Sequence, residues 1–133
     1  MIGIVIVAHG GLAREYLSAV EHVVGPQTGI RAISIEEDHD RSGKQDEISA
    51  QADAVDDGDG VIVVTDLFGG SPSNLSMLAC AGHQRVLLTG ANLPMLLKLA
   101  KSRHLDLAAA VEAATDAGRK YIEAYDVRSG TGA

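Results

Sequence analysis

Two residues that could do chemistry stand at the ends of two predicted strands. His9 follows the apolar run at residues 2–7, and Asp66 follows the run GVIVVT at residues 60–65. Short apolar runs without polar alternation are typical of strands that are buried on both faces of a parallel sheet. Ligands of open α/β sheets bind at the carboxyl ends of such strands. We therefore expect an imidazole and a carboxylate at the ligand-binding edge of a sheet.

The residue types and the sequence after Asp66 favour phosphoryl chemistry. A carboxylate that accepts one N–H of an imidazole fixes its tautomer and leaves the other nitrogen as a nucleophile. The segment LFGGSPSN then places Gly69 and Gly70 before a helix, with Ser71 predicted as the N-cap and Pro72 in the first turn. Backbone N–H groups of both glycines and the Ser71 hydroxyl would bind a phosphate there. The segment lacks the lysine and the spacing of a Walker loop, so we do not expect nucleotide binding.

Alternating strands and helices must position these residues. The pattern predicts two further strands, near 30–35 and 85–89, and five helices, over about 12–24, 42–58, 71–81, 93–101 and 106–120. Ser42 and Gln45 form a predicted capping box, and Asn92 and Asp106 are predicted caps. These elements predict an α/β fold, doubly wound around a mainly parallel sheet of order 2-1-3-4, with helices on both faces. In that order the first and third strands are neighbours, so His9 and Asp66 should face each other.

Composition and net charge disfavour several kinds of function. The 133-residue chain has a formal net charge of −7, which disfavours nucleic-acid binding and favours a basic partner. Its one cysteine, Cys80, cannot form an internal disulfide. We find neither a signal peptide nor a run of about 20 apolar residues, and so expect a soluble cytoplasmic protein. We expect a single domain at residues 1–127 and a disordered tail at 128–133.

Three segments carry a specific resemblance. VAHGGLAREYL, TDLFGGSPSN and GANLPMLLK are similar, in order and spacing, to signature stretches of the IIA component of the mannose family of the bacterial phosphoenolpyruvate-dependent sugar phosphotransferase system. The resemblance extends from Met1 to about Tyr125. It implies a histidine phosphocarrier that accepts a phosphoryl group from the phosphocarrier protein HPr. The group would pass to a separate IIB component, since the chain ends without the linker and fused IIB domain of longer relatives, or serve as a regulatory signal.

The resemblance also implies roles for individual residues. His9 would be the phosphorylated histidine, Asp66 its hydrogen-bonding carboxylate, and Ser71 a hydroxyl near the phosphoryl group. No metal or cofactor is implied. Residues 121–127 would form a fifth, antiparallel strand that is exchanged in a homodimer. The remaining candidates for binding phosphate or a partner are Gly10, Phe68, Gly69, Gly70 and Asn92, and relatives commonly carry tryptophan at the position of Phe68.

Other interpretations stay open at this point. Small tetrapyrrole chelatases also begin with a strand ending in His-Gly, but they need further ligands, for which only His39 is a remote candidate. The phosphotransfer subunit of dihydroxyacetone kinases shares the first strand and histidine but would not be expected to carry GGSPSN. The run EEDHD at residues 36–40 is more typical of a solvated acidic loop than of a metal loop. Phe68 is either a core residue or an exposed contact, and its position in a turn favours a contact.

Overall fold

The computed structural model describes residues 1–129, which form a four-stranded parallel sheet covered by helices on both faces. The strand order is β2-β1-β3-β4, as predicted. In chain order the elements are β1 (Gly3–His9), α1 (Leu12–Val24), β2 (Ile30–Ile35), α2 (Arg41–Val55), β3 (Val61–Thr65), α3 (Ser71–Cys80), β4 (Arg85–Thr89), α4 (Leu93–Lys101) and α5 (Leu107–Lys120).

Strand β1 is the centre of the hydrophobic core because both of its faces are covered. Ile4 and Ile6 pack in the cluster that includes α1, α4 and α5, whereas Val5 and Val7 pack in the cluster that includes α2 and α3. All four side chains are buried. The absence of polar alternation in this strand is therefore a direct result of its burial on both sides.

The register of the sheet brings the two candidate residues to one edge. Val7 of β1 pairs with Thr65, the last residue of β3, and His9 pairs with Ile35, the last residue of β2. Asp66 follows Thr65 and thus lies beside the end of β1. The predicted juxtaposition of His9 with Asp66 depends on this parallel register.

The structure confirms the predicted helix caps at Asn92 and Asp106 but not the one at Ser42. Asn92 and Asp106 are the N-caps of α4 and α5, and each accepts a backbone hydrogen bond through its side chain. The predicted capping box at Ser42 is wrong, because α2 begins one residue earlier, at Arg41, with Asp40 in the extended cap conformation. Helix α2 also ends at Val55, before the predicted end near residue 58.

The C-terminal segment is irregular within the single chain. Residues 122–126 belong to neither a helix nor a strand, and Val127–Ser129 form a short 3-10 helix. The expected fifth strand is therefore not formed within residues 1–129 of a single copy, where the sheet consists of β1 to β4. Residues 130–133 of the predicted tail lie outside the described residues. None of the helices in residues 1–129 is long and apolar enough to cross a membrane.

Candidate functional site

The carboxyl end of β1 holds a histidine and an aspartate in direct contact. His9 Nδ1 lies 2.7 Å from Asp66 Oδ2, and the same oxygen accepts the backbone N–H of His9 at 3.1 Å. The other carboxylate oxygen accepts the backbone N–H of Leu67 at 3.0 Å. Three hydrogen bonds thus hold the Asp66 carboxylate in place, and one of them orients the imidazole.

The hydrogen bonds keep Asp66 ionised. Burial raises the pKa of the carboxyl group, but the hydrogen bonds from the ring and backbone of His9 outweigh burial, so that the pKa lies below the ordinary value for aspartate. An ionised carboxylate can only accept a hydrogen bond, so His9 Nδ1 carries the proton. The lone pair of the neutral ring is therefore on Nε2.

The side chain of His9 is more exposed than that of its partner. The His9 side chain is 51% exposed, whereas that of Asp66 is only 10% exposed. Gly70 lies over the ring, and a Cβ atom added at this position would be 3.3 Å from Nε2 and 3.2 Å from Cε1. Because the φ of Gly70 is −97°, any residue could adopt its backbone conformation. The glycine leaves space beside Nε2 that a larger residue would crowd.

Helix α3 begins differently from the prediction. Gly70 is its N-cap and Ser71 its first residue, so Ser71 is not the cap. The bonds that stabilise this start come from Ser73, whose hydroxyl accepts the N–H of Gly69 at 2.8 Å and donates to the carbonyl of Gly70 at 3.1 Å. The Gly69 N–H, expected to bind phosphate, is thereby used inside the protein. The first-turn N–H groups have no partner within the helix, as at any helix start.

A cleft in front of His9 contains a second histidine. It measures about 430 Å³ and is lined by His9, Gly10, Ile35, Glu36, Glu37, His39 and Ser71. Gly10 adopts a φ of +55° where the chain leaves β1, a conformation that favours glycine. The sequence suggested that His39 was remote from the site, but the structure places it in the same cleft as His9.

Two other predicted contacts, Phe68 and Asn92, are not among the residues that line this cleft. Phe68 is 67% exposed, and Leu67 beside it is 50% exposed. Phe68 is therefore an exposed residue and not part of the core. Asn92 lines a separate cleft, where its Oδ1 accepts the N–H of Met95 and its Nδ2 donates to the carbonyl of Gly118. Both polar groups of Asn92 are used within the protein, and a contact of Asn92 with phosphate stays a prediction.

Comparison with models of known protein families shows to which family this chain belongs. The model described as the fructose IIA component of the phosphotransferase system, EIIA-man, matches residues 3–116. The chain belongs to the EIIA-man family. This match includes β1 with His9 and the segment from Asp66 to α3, which together form the site described above.

Relatives of this EIIA-man chain agree with the assignment. The mannose-specific EIIAB component of Escherichia coli K12 is 29% identical over 130 residues, which are 96% of this chain and 40% of that protein. The chain thus spans less than half the length of the curated relatives that it matches. A solved EIIA from Streptococcus agalactiae superimposes with a TM-score of 0.84 at 26% identity, covering 97% of this chain and 99% of that one. The mannose/sorbose-specific IIA subunit of Enterococcus faecalis also gives a TM-score of 0.84, at 25% identity, covering 94% of this chain and 95% of that one.

The EIIA-man site also contains a residue that sequence reasoning missed. The hydroxyl of Tyr16, on α1, donates to the carbonyl of Ala91 at 3.1 Å. Burial raises the pKa of this phenol, and the negative charge of Asp66 raises it further. The phenol therefore stays protonated and ties α1 to the loop after β4. Its place on the apolar stripe of α1 indicated burial, but nothing in the sequence indicated its proximity to Asp66.

The site does not offer the ligands that a chelatase would need. Within residues 1–129, no group of three or more His, Cys, Asp or Glu side chains is arranged to hold a metal ion. Membership of the EIIA-man family argues against the chelatase interpretation.

Proposed function

We propose that this protein is a histidine phosphocarrier of the phosphotransferase system, which accepts a phosphoryl group on Nε2 of His9 from the phosphocarrier protein HPr. The observation that carries the proposal is the orientation of the imidazole. Asp66 holds Nδ1 at 2.7 Å, and the half-exposed ring presents its other nitrogen to solvent beside Gly70. A nucleophile that is oriented by a carboxylate matches the requirement of phosphoryl transfer for accurate positioning.

The transfer step needs no net proton movement at the nucleophile. The Nε2 lone pair of His9 attacks the phosphorus of the phosphorylated donor as the donor's P–N bond breaks, and the bonding electron pair returns to the donor's imidazole. The His9 ring gains positive character, which the Asp66 carboxylate stabilises through the Nδ1–H. Ser71, the first residue of α3, lines the same cleft, and its hydroxyl and backbone N–H would contact the phosphoryl oxygens.

The surface around His9 fits a protein donor. Leu67 and Phe68 expose apolar side chains next to Asp66, and Glu36 and Glu37 line the cleft on its other side. A basic partner with an apolar contact would be attracted by this combination, and we propose HPr as that partner. The phosphoryl group would pass on to a separate IIB component or act as a regulatory signal. The protein would work in the cytoplasm and meet the membrane only through a transporter complex.

Reconstitution with purified components tests this function. Incubation with the general phosphotransferase enzyme, HPr and phosphoenolpyruvate should add one acid-labile, alkali-stable phosphoryl group, detected by intact mass. His9→Ala should prevent the addition, while His83→Ala, at an exposed histidine near the opposite edge of the sheet, should not. Normal phosphorylation of the His9→Ala variant would exclude His9 as the acceptor.

We also propose a homodimer in which residues 121–127 add a strand to the partner's sheet. Strand β4 pairs only with β3 in residues 1–129, which leaves one edge open. Tyr121, Ile122 and Val127 are each more than 60% exposed in the single chain, with values of 63%, 75% and 73%. Pairing of this apolar segment with an open edge would bury both features. A chain truncated before Tyr121 should sediment as a monomer, and monomeric behaviour of the full chain at micromolar concentration would refute the proposal.

A further inference from the structure

The second histidine of the cleft has a defined tautomer. His39 Nδ1 lies 2.8 Å from the carbonyl oxygen of Glu36, and a carbonyl oxygen can only accept a hydrogen bond. Nδ1 therefore carries a proton, and Nε2 is the nitrogen that can gain or lose one. His39 is partly buried and lines the cleft together with His9 and Ser71.

None of the side chains that line the cleft carries a fixed positive charge, and the guanidinium of Arg14 lies beside Gly11, next to the lining residue Gly10. The titratable groups that line the cleft are His9, Glu36, Glu37 and His39, and Asp66 lies behind His9. A phosphoryl group brings close to two negative charges near neutral pH. It would face the two glutamates, and His39 alone among the lining residues, apart from His9 itself, can offset its charge by binding a proton.

We propose that His39 is a positioning residue for the phosphorylated state, and that its protonated Nε2–H donates a hydrogen bond to a phosphoryl oxygen on His9. The proposal rests on the proposed phosphorylation of His9. A charge-assisted hydrogen bond of this kind would stabilise phosphorylated His9 at low pH and lose its effect as His39 becomes neutral. The exchange equilibrium with the donor would then favour phosphorylated His9 more at low pH than at high pH.

The equilibrium constant of phosphoryl exchange with HPr measures this effect without interference from docking. An equilibrium constant between free species does not depend on how well the two proteins bind, and the titration of HPr cancels when variants are compared at one pH. For His39→Gln, which keeps a hydrogen-bond donor but has no charge, we expect exchange to favour the phosphorylated protein about three- to tenfold less than wild type at pH 6. At pH 8.5 the two proteins should agree.

His39→Lys and His83→Gln complete the experiment. His39→Lys keeps a cation at both pH values. Its equilibrium constant of exchange, divided by that of wild type, should therefore not fall at pH 6 as the corresponding ratio for His39→Gln does. His83→Gln, an exposed control outside the cleft, should match wild type throughout. A merely structural role of His39 would change the equilibrium equally at both pH values.

The outcomes separate this proposal from the function on which it rests. If wild type receives no phosphoryl group from HPr, the proposed function fails. If wild type is phosphorylated but His39→Gln exchanges like wild type at pH 6, the role of His39 is refuted. Phosphorylation that persists in His9→Ala and disappears when His39 is also replaced would make His39 an acceptor and overturn its role as a positioning residue.

Discussion

A nitrogen-containing side chain lies at each end of β1, and the two side chains differ in burial and in hydrogen bonding. At the amino end, the guanidinium of Arg103 is buried and donates to the carbonyl oxygens of Ile2 at 2.7 Å and Thr28 at 2.6 Å. At the carboxyl end, the His9 ring is half exposed and bonded through Nδ1 only. The comparison shows that Arg103, which donates through two of its nitrogens, stabilises the fold, whereas His9, which bonds through Nδ1, leaves Nε2 available.

The two ends of β1 also differ in their electrostatics. Burial lowers the pKa of the Arg103 guanidinium, although nearby Asp57 opposes this effect, and the group donates hydrogen bonds to two uncharged carbonyl oxygens. At the other end the Asp66 carboxylate can stabilise a positive charge that develops on His9. Substitutions at the two ends should therefore affect different properties, phosphoryl transfer at one end and stability at the other.

Asp66→Asn should have the largest effect on transfer. The variant keeps the size of the side chain but removes the charge that orients and stabilises the ring, so exchange with HPr should slow by about 10- to 1,000-fold in rapid-quench measurements. His9 should still become phosphorylated after long incubation. Asp106→Asn is the matched control, because asparagine caps a helix as well as aspartate does. An unchanged rate in Asp66→Asn would show that the contact with His9 has no role in transfer.

Arg103→Met should lower the stability of the protein and leave phosphoryl transfer nearly unchanged. The carbonyl groups of Ile2 and Thr28 lose their buried donor, which should lower the free energy of unfolding by about 2–4 kcal/mol in urea titrations. The folded variant should exchange phosphoryl groups at nearly the wild-type rate because the site lies at the other end of β1. Arg128→Met, which removes an exposed arginine, should change neither property. A slower exchange in folded Arg103→Met would contradict the separation of the two ends.

Gly70→Ala should slow transfer by crowding the imidazole of His9. The added methyl group would lie 3.3 Å from His9 Nε2 and crowd the incoming phosphorus, so transfer should slow by roughly tenfold, which corresponds to about 1.4 kcal/mol. Gly11→Ala is a suitable control, since its Cβ would meet only the Arg14 side chain, at 3.7 Å. Equal rates in the two variants would show that the space beside Nε2 does not matter for transfer.

Ser73→Ala should have the smallest effect. Loss of the bonds from Ser73 to Gly69 and Gly70 should lower the free energy of unfolding by about 1 kcal/mol, measured by urea denaturation. Ser76→Ala offers a control within the same helix, because Ser76 is equally buried but its hydroxyl has no hydrogen-bond partner in the described chain. If both variants lose the same stability, the start of α3 does not depend on Ser73.

Patterns that repeat along the chain made most of the fold predictable. The continuous apolar runs identified the strands, and the alternation with helices led to the 2-1-3-4 order that the structure confirms. The caps at Asn92 and Asp106 were also predictable, since a cap is a local interaction within one turn. The fifth strand stays a prediction, because its formation would require a partner that the pattern of one chain cannot supply.

The sequence by itself determined that His9 and Asp66 end two buried strands, and parallel pairing then brought their side chains together. Only the tertiary structure decided that Gly70 lies against the ring, that Ser73 and not Ser71 bonds the start of α3, and that His39 enters the cleft. The physical reason is that a strand's end follows from a regular local repeat. The path of a loop is set instead by packing and hydrogen bonds between segments that lie far apart in the chain.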